Sequence, residues 1–297
     1  MSTTTLRRPV DGTAAGLMLL LCFLWGFTHV ASKLAAPDIS LVLQGGLRSV
    51  LALALLWTWA LSRGIRLFER DGTLAAGLVA GLLFAGEFLF IFAGLAHTGA
   101  SRMVVFVYLA PCLTALGLHW WVPSERLKRA QWLGVWLAFV GVALAFLDGF
   151  SAGRSSLLGD VFGVIGALLW AATTVVIRTT KLAGASATKT LLYQLAVSAA
   201  LLPVASLLIG EPGVTAWSAM AIGSLLYQGT IVSFGSYLAW FWLLRHYLAA
   251  RLSVFAFLTP LFGVVFGVLV LSEPLRPAFL AAVALVGAGI YLVNRRG

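Results

Sequence analysis

Ten apolar stretches of about twenty residues follow one another along this chain, and lipid leaves such stretches only one common way to fold. In hydrocarbon every backbone N–H and C=O must be bonded internally, so only helices and closed barrels span a membrane. A helix crosses the core with about 20 apolar residues. The predicted spans are 13–32, 39–62, 73–96, 102–122, 130–147, 158–178, 188–209, 219–244, 250–271 and 277–294. Between them stand short breaks such as Ala36-Pro37-Asp38, Arg63-Gly64, Pro123-Ser124-Glu125 and Gly210-Glu211-Pro212-Gly213. Only 10% of the residues are charged and 61% are apolar, with a mean hydropathy of +1.00. A soluble domain carries about 25% charge, so the expected class is an all-α integral membrane protein with no soluble domain.

The chain also contains itself twice. Ala100 to Pro111 aligns without a gap on Ala249 to Pro260 with six identities in twelve, including Arg102 with Arg251 and Phe106 with Phe255. In the same frame His97 meets His246 and Gly86 meets Gly235. After one gap, Glu125 and Leu127 meet Glu273 and Leu275, and Gly141 meets Gly289. Near the start of each half Leu24-Trp25 meets Leu169-Trp170 and Lys33 meets Arg178. The expected units are therefore residues 1–149 and 150–297, with five helices each. An odd number of crossings turns the second unit upside down relative to the first, and inverted repeats around a central cavity are a transporter architecture.

The formal net charge of +10 reports orientation rather than a nucleic-acid partner. With ten spans, fifteen of the twenty Lys and Arg residues fall on the side of the two termini and four on the other, with Arg48 inside a span. By the positive-inside rule both termini are cytoplasmic in a bacterial-type inner membrane. The first span has a counterpart in the repeat, so it reads as a retained helix rather than a cleaved leader. Cys22 and Cys112 lie within spans and read as small apolar residues.

No phosphate loop, H-E-x-x-H or C-x-x-C motif is present. The four histidines sit on different spans, and only one carboxylate, Glu87, lies deep in a span. The expectation is a protein that is not an enzyme, with no catalytic residues, metal or cofactor.

Arg48 and Glu87 are the intramembrane charges. An Arg at the bilayer centre costs roughly 2.5–3.5 kcal/mol, so it needs a partner or water. Two readings stand: a charged wall on the substrate or proton path, or an ion pair locking the second span to the third. Their matched positions in the second half are Ser198 or a neighbour, and Ser236. Pro111 and Pro260, matched in the fourth and ninth spans, each remove a backbone donor and kink the helix, as paired hinges or as static kinks. Trp25 and Trp170 lie within their spans, with His29 and Thr174 four residues on and on the same face. Tyr108, Tyr227, Tyr237, Trp240, Gln44 and Gln194 are further polar or aromatic groups at that depth. Gly77-x-x-x-Gly81, Gly159-x-x-x-Gly163 and Gly263-x-x-x-Gly267 read as close helix contacts.

These residues resemble a known family. Leu24-Trp25-Gly26 in the first helix, Pro111 in the fourth, Glu125-Arg126-Leu127 after it and Ser272-Glu273-Pro274-Leu275 after the ninth are similar to the drug/metabolite transporter superfamily. Within it the EamA branch is the match, and the exporters of aromatic and neutral amino acids of the YddG type are most alike. The resemblance implies a cavity between the halves lined by Trp25, His29, Glu87, Phe90, Tyr108, Trp170, Thr174, Tyr237, Trp240 and Phe257. It implies export of small zwitterions, aromatic and other neutral or hydrophobic amino acids, by alternating access. The partners expected are that small-molecule substrate and the bilayer, with the protein a monomer. The competing functions are proton-coupled efflux of cationic drugs and a membrane-embedded lipid-handling enzyme. Glu125 and Glu273 are expected to cap the helices that come after them, where a carboxylate suits the positive end of the dipole.

Overall fold

The computed structural model describes residues 7–69, 71–95, 97–98, 100–147, 157–271 and 278–295. Among them lie helices α1 (Gly12–Ala35), α2 (Leu41–Ser62), α3 (Leu74–Leu95), α4 (Ala100–Val107), α5 (Ala110–Trp121), α6 (Arg129–Ala145) and α7 (Leu157–Thr179). The rest are α8 (Ala187–Leu208), α9 (Ala219–Leu226), α10 (Tyr237–His246), α11 (Ala249–Ser253), α12 (Leu258–Leu271) and α13 (Ala278–Asn294). They group into ten apolar segments at the places the sequence predicts. Seven are long and apolar enough to cross a membrane, counting Met103–Trp121 and Ala249–Val270 as one each. Helices α6 and α13, of 17 residues each, are at the short end of what spans hydrocarbon.

Local chemistry places the boundaries. Asp11 Oδ1 accepts the Ala14 N–H at 2.8 Å to open α1. Ser186 and Ser218 do the same for α8 and α9, each at 3.1 Å from the N–H three residues on. Both α2 and α8 end on a glycine in the left-handed region, Gly64 at φ 62° and Gly210 at φ 75°. The next N–H reaches back five residues in each case, Ile65 to Ala60 O and Glu211 to Ser206 O. A Cβ is disfavoured in that conformation, which is why glycine closes both helices.

Three segments are interrupted. The fourth breaks at Tyr108 and Leu109, between α4 and α5. The ninth breaks at the 3₁₀ turn Val254–Phe257, between α11 and α12. In each, the break falls in the turn just before the proline, where the ring would meet the carbonyl four residues back. The eighth carries a ten-residue π-helix, Tyr227–Ser236, between α9 and α10.

Helix pairing mirrors the repeat. Helix α2 packs on α8 and α6 on α13, each a helix against its own counterpart in the other half. Helix α3 packs on α7 as the eighth segment packs on α1, and α1 packs on α12 as α7 packs on α4 and α5. Exchanging the halves maps this pattern onto itself. Polar bonds hold α8 at both ends: Lys189 Nζ meets Asp71 Oδ2, in the connection before α3, at 2.7 Å, and Glu211, just past α8, accepts the N–H groups of Val42 and Leu43 at the start of α2 at 3.1 and 3.2 Å. The Lys189 bond, reinforced by Thr73, holds the Asp71 carboxyl below the usual carboxylate range. Leu19, Leu20, Phe23, Leu82 and Leu269 remain exposed on the outside, as lipid contact requires.

The predicted small-residue contacts hold in part. A Cβ on Gly81 would lie 2.8 Å from Tyr193 O, and one on Gly163 2.8 Å from Phe106 Cβ. Gly263 has room instead, and the tight member of the α1–α12 contact is Gly26, whose Cβ would sit 2.6 Å from Phe262 Cβ.

Candidate functional site

Trp25 and His29 lie one turn apart on α1, on the face that also carries the buried Met18 and Cys22. His29 is nevertheless exposed. The Trp25 indole N–H donates to Ser236 Oγ at 2.9 Å, and its ring meets Tyr237 and Trp240 edge-on at 6.3 and 5.8 Å. Ser236 closes the π-helix, and its hydroxyl donates to Val232 O at 2.6 Å. Each extra residue in a π turn rotates the remainder of the helix by about 100°. The facing of Tyr237 and Trp240 therefore depends on that segment.

The π-helix is fastened by a buried amide network. Gln228 Nε2 donates to Gln44 Oε1 at 3.0 Å and to Ser224 Oγ at 3.1 Å, while Gln228 Oε1 accepts from Ser32 Oγ at 3.2 Å. Gln44 Nε2 donates to Ile39 O at 2.8 Å, and Tyr227 OH to Leu24 O at 2.8 Å. These bonds join α1, α2 and the eighth segment.

Across from α1, Phe84 meets Tyr237 edge-on at 5.7 Å, and Phe88 contacts Phe84 and Phe92 at 5.1 and 6.0 Å. The Arg48 guanidinium stands 4.3 Å over the centre of the Phe88 ring. Arg48 is 3% exposed and Glu87 7%. The ion pairs within 4.0 Å among the described residues are Arg66–Glu69, Arg178–Glu125 and Lys189–Asp71, and none joins Arg48 to Glu87. The locking pair anticipated between the second and third spans is therefore absent in this conformation. Tyr237 and Glu87 both lie within electrostatic reach of Arg48, as does His29, and Tyr108 lies within reach of Glu87.

A second polar cluster closes one end of the bundle, where the chain enters α1. Glu125 and Arg178 form an ion pair with side chains 0% and 1% exposed. Glu125 also accepts the N–H groups of Ala249 and Ala250 at 3.1 and 2.9 Å, and Arg178 Nη1 donates to Leu244 O at 2.9 Å. Glu125 thus caps α11 of the other half rather than the next helix of its own. Helix α6 opens instead with the Lys128 N–H on Gln131 Oε1 at 2.9 Å. Glu273 lies outside the described residues.

The EamA-like transporter family matches this chain twice, over residues 12–147 and 157–295. The chain belongs to that family. Among relatives of this EamA transporter is "Uncharacterized transporter YvbV" of Bacillus subtilis, 28% identical over 94% of the chain and 91% of the relative. Another is "Probable amino-acid metabolite efflux pump" of Salmonella typhimurium, 26% identical over 93% of each. A third, "Uncharacterized inner membrane transporter YedA" of Escherichia coli, is 23% identical over 94% of the chain and 90% of its own length. A solved crystal structure of a protein 19% identical in sequence superposes with a TM-score of 0.80, covering 96% of this chain and 98% of that one, and shares the fold.

Within the EamA transporter, the residues singled out from sequence separate by place. Trp25 meets Tyr237 and Trp240, Tyr237 meets Phe84, Phe84 meets Phe88 and Arg48 rests on Phe88, with His29 and Glu87 within electrostatic reach of Arg48. Tyr108 and Trp170 meet edge-on at 5.9 Å, with the buried Thr174 one turn beyond Trp170. Phe90 turns to Phe162 of α7, with centroids 5.3 Å apart. Phe257 is 0% exposed and faces Phe139 of α6, so in this conformation it offers no surface to a solute. Sequence reasoning missed Phe84, Phe88 and the bond that Ser236 makes to Trp25. An aromatic stripe at four-residue spacing, Phe84-Phe88-Phe92, was the available signal for the first two. The sequence marks Ser236 only as the counterpart of Glu87.

Proposed function

We propose that this EamA transporter exports small zwitterionic metabolites, aromatic and other neutral or hydrophobic amino acids, across the inner membrane. The observation that carries the reading is a ring-lined interior holding one buried arginine and one buried glutamate that do not pair with each other. Aromatic faces suit an apolar body, and separated opposite charges suit a net-neutral head. The printed name of the Salmonella relative points the same way.

Alternating access is the natural use of the symmetry in the helix pairing, with residues 1–149 and 150–297 as inverted halves and both termini cytoplasmic by the charge distribution. In this scheme Glu125 and Arg178 shut the cytoplasmic end. The breaks before Pro111 and Pro260 are the bending points, because freed carbonyls there let each helix flex without losing a full ladder. Replacing either proline by alanine is expected to slow efflux several-fold while leaving substrate affinity in place. Equal rates in proteoliposomes would make both breaks static.

Efflux of labelled phenylalanine and threonine from proteoliposomes tests the export reading directly. Saturable amino-acid efflux is expected. Movement of fluorescent cations without amino acids would favour drug efflux, with Glu87 as counter-charge. Counterflow with and without a pH gradient locates the drive: if Glu87 carries a proton, Glu87→Gln abolishes gradient dependence, and an unchanged response makes Glu87 a binding group only.

A further inference from the structure

We propose that Arg48 is the residue that reads the carboxylate of the transported solute, so that this transporter discriminates amino acids from their amides and amines. The inference rests on the export reading above. Arg48 is nearly fully buried, yet its Nε has no hydrogen-bond partner among the described residues. A buried guanidinium N–H left unmatched in a finished structure is unusual, since such groups are nearly always bonded. Its contact with Phe88 engages the charge through the ring face, and with the Tyr237 hydroxyl beside the guanidinium, Nε still remains an in-plane donor for another acceptor. The guanidinium fork matches a carboxylate with two parallel bonds.

The nearby Glu87 does not fill this role, since it forms no ion pair with Arg48 within 4.0 Å. A basic and an acidic side chain, near each other but unpaired, match a ligand whose carboxylate and ammonium sit on one carbon. The arrangement is also one-sided. Ser236, the counterpart of Glu87, is committed to the Trp25 indole, and Ser198 stands near the place that matches Arg48. The charged head is therefore held by one half only, while rings of both halves face the same region through Trp25, Phe84 and Tyr237.

The experiment compares phenylalanine, phenylalaninamide and phenethylamine in proteoliposomes of the wild type, Arg48→Lys and Arg48→Gln. Wild type is expected to move phenylalanine at least ~10-fold faster than either carboxylate-free analogue. Arg48→Gln should cut phenylalanine transport ~10-fold or more with little change in the analogues, and Arg48→Lys should fall between. Equal loss for all three solutes, or no loss for phenylalanine, overturns the inference. Should Arg48→Gln not fold, competition on the wild type decides. Inhibition of phenylalanine counterflow by 3-phenylpropionate and not by phenethylamine supports the inference, and the reverse overturns it. Wild type that moves phenylalanine and phenylalaninamide alike sinks the inference but leaves export standing. Wild type that moves no amino acid sinks both.

Discussion

Replacing Glu125 by alanine is expected to cost this protein about 3–5 kcal/mol, the usual penalty for leaving one member of a buried ion pair alone. Three acceptor contacts vanish together: the Arg178 guanidinium loses its counter-charge, and the N–H groups of Ala249 and Ala250 lose their cap. Arg178 retains only the bond to Leu244 O. The change should appear as a large drop in the Tm of the detergent-solubilised protein. Glu125→Ala combined with Arg178→Met should recover much of the loss, because the stranded charge is gone. A double variant as unstable as the sum of the singles would mean that the two residues act independently. Since the pair joins the α5–α6 connection to α7 and to the start of α11, the same variant should also loosen that end of the bundle. Faster cysteine labelling at Leu182→Cys, which is 2% exposed there, would report it.

Gly289→Ala and Gly287→Ala should move stability in opposite directions, although the two residues are neighbours on α13. A Cβ on Gly289 would stand 2.5 Å from Gly134 O and 2.7 Å from Ala138 Cβ, so α6 and α13 must move apart. Overpacking of this kind costs typically 1–3 kcal/mol. Backbone oxygen and Cβ cannot swing aside as a long side chain does. A Cβ on Gly287 meets nothing within 4 Å, so that change should keep the gain of about 1 kcal/mol that alanine has over glycine inside a helix. Thermal unfolding and the monodisperse fraction after extraction measure both. Parallel behaviour of the two variants would show that the α6–α13 contact contributes little.

The sequence was most legible where the solvent decides. Predicted spans such as 73–96 and 188–209 differ by only a residue or so from α3 (Leu74–Leu95) and α8 (Ala187–Leu208). Lipid forbids open backbone, so a long apolar run bounded by Gly, Pro or charge has few alternatives to a helix. The π-helix at Tyr227–Ser236 was illegible for the complementary reason. Its Gln228, Thr230, Ser233 and Ser236 make it more polar than the helix around it but do not specify a wider turn, which is tied down by Gln44, Ser32 and Leu24 from distant parts of the chain. Facing was likewise only partly readable. Phe257 matches Tyr108 in the repeat, yet Tyr108 meets Trp170 while Phe257 turns to α6.

What the sequence determined by itself was an all-helical membrane protein whose second half repeats its first, because hydrophobic length and internal identity are local properties of the chain. What the tertiary structure alone decided was partnership. Glu125 caps a helix of the other half rather than its own neighbour, and Arg48 rests on Phe88 rather than on Glu87. The physical reason is that a buried charge takes its partner from whichever element packing brings within a few ångströms, and that element is set by contacts between distant parts of the chain.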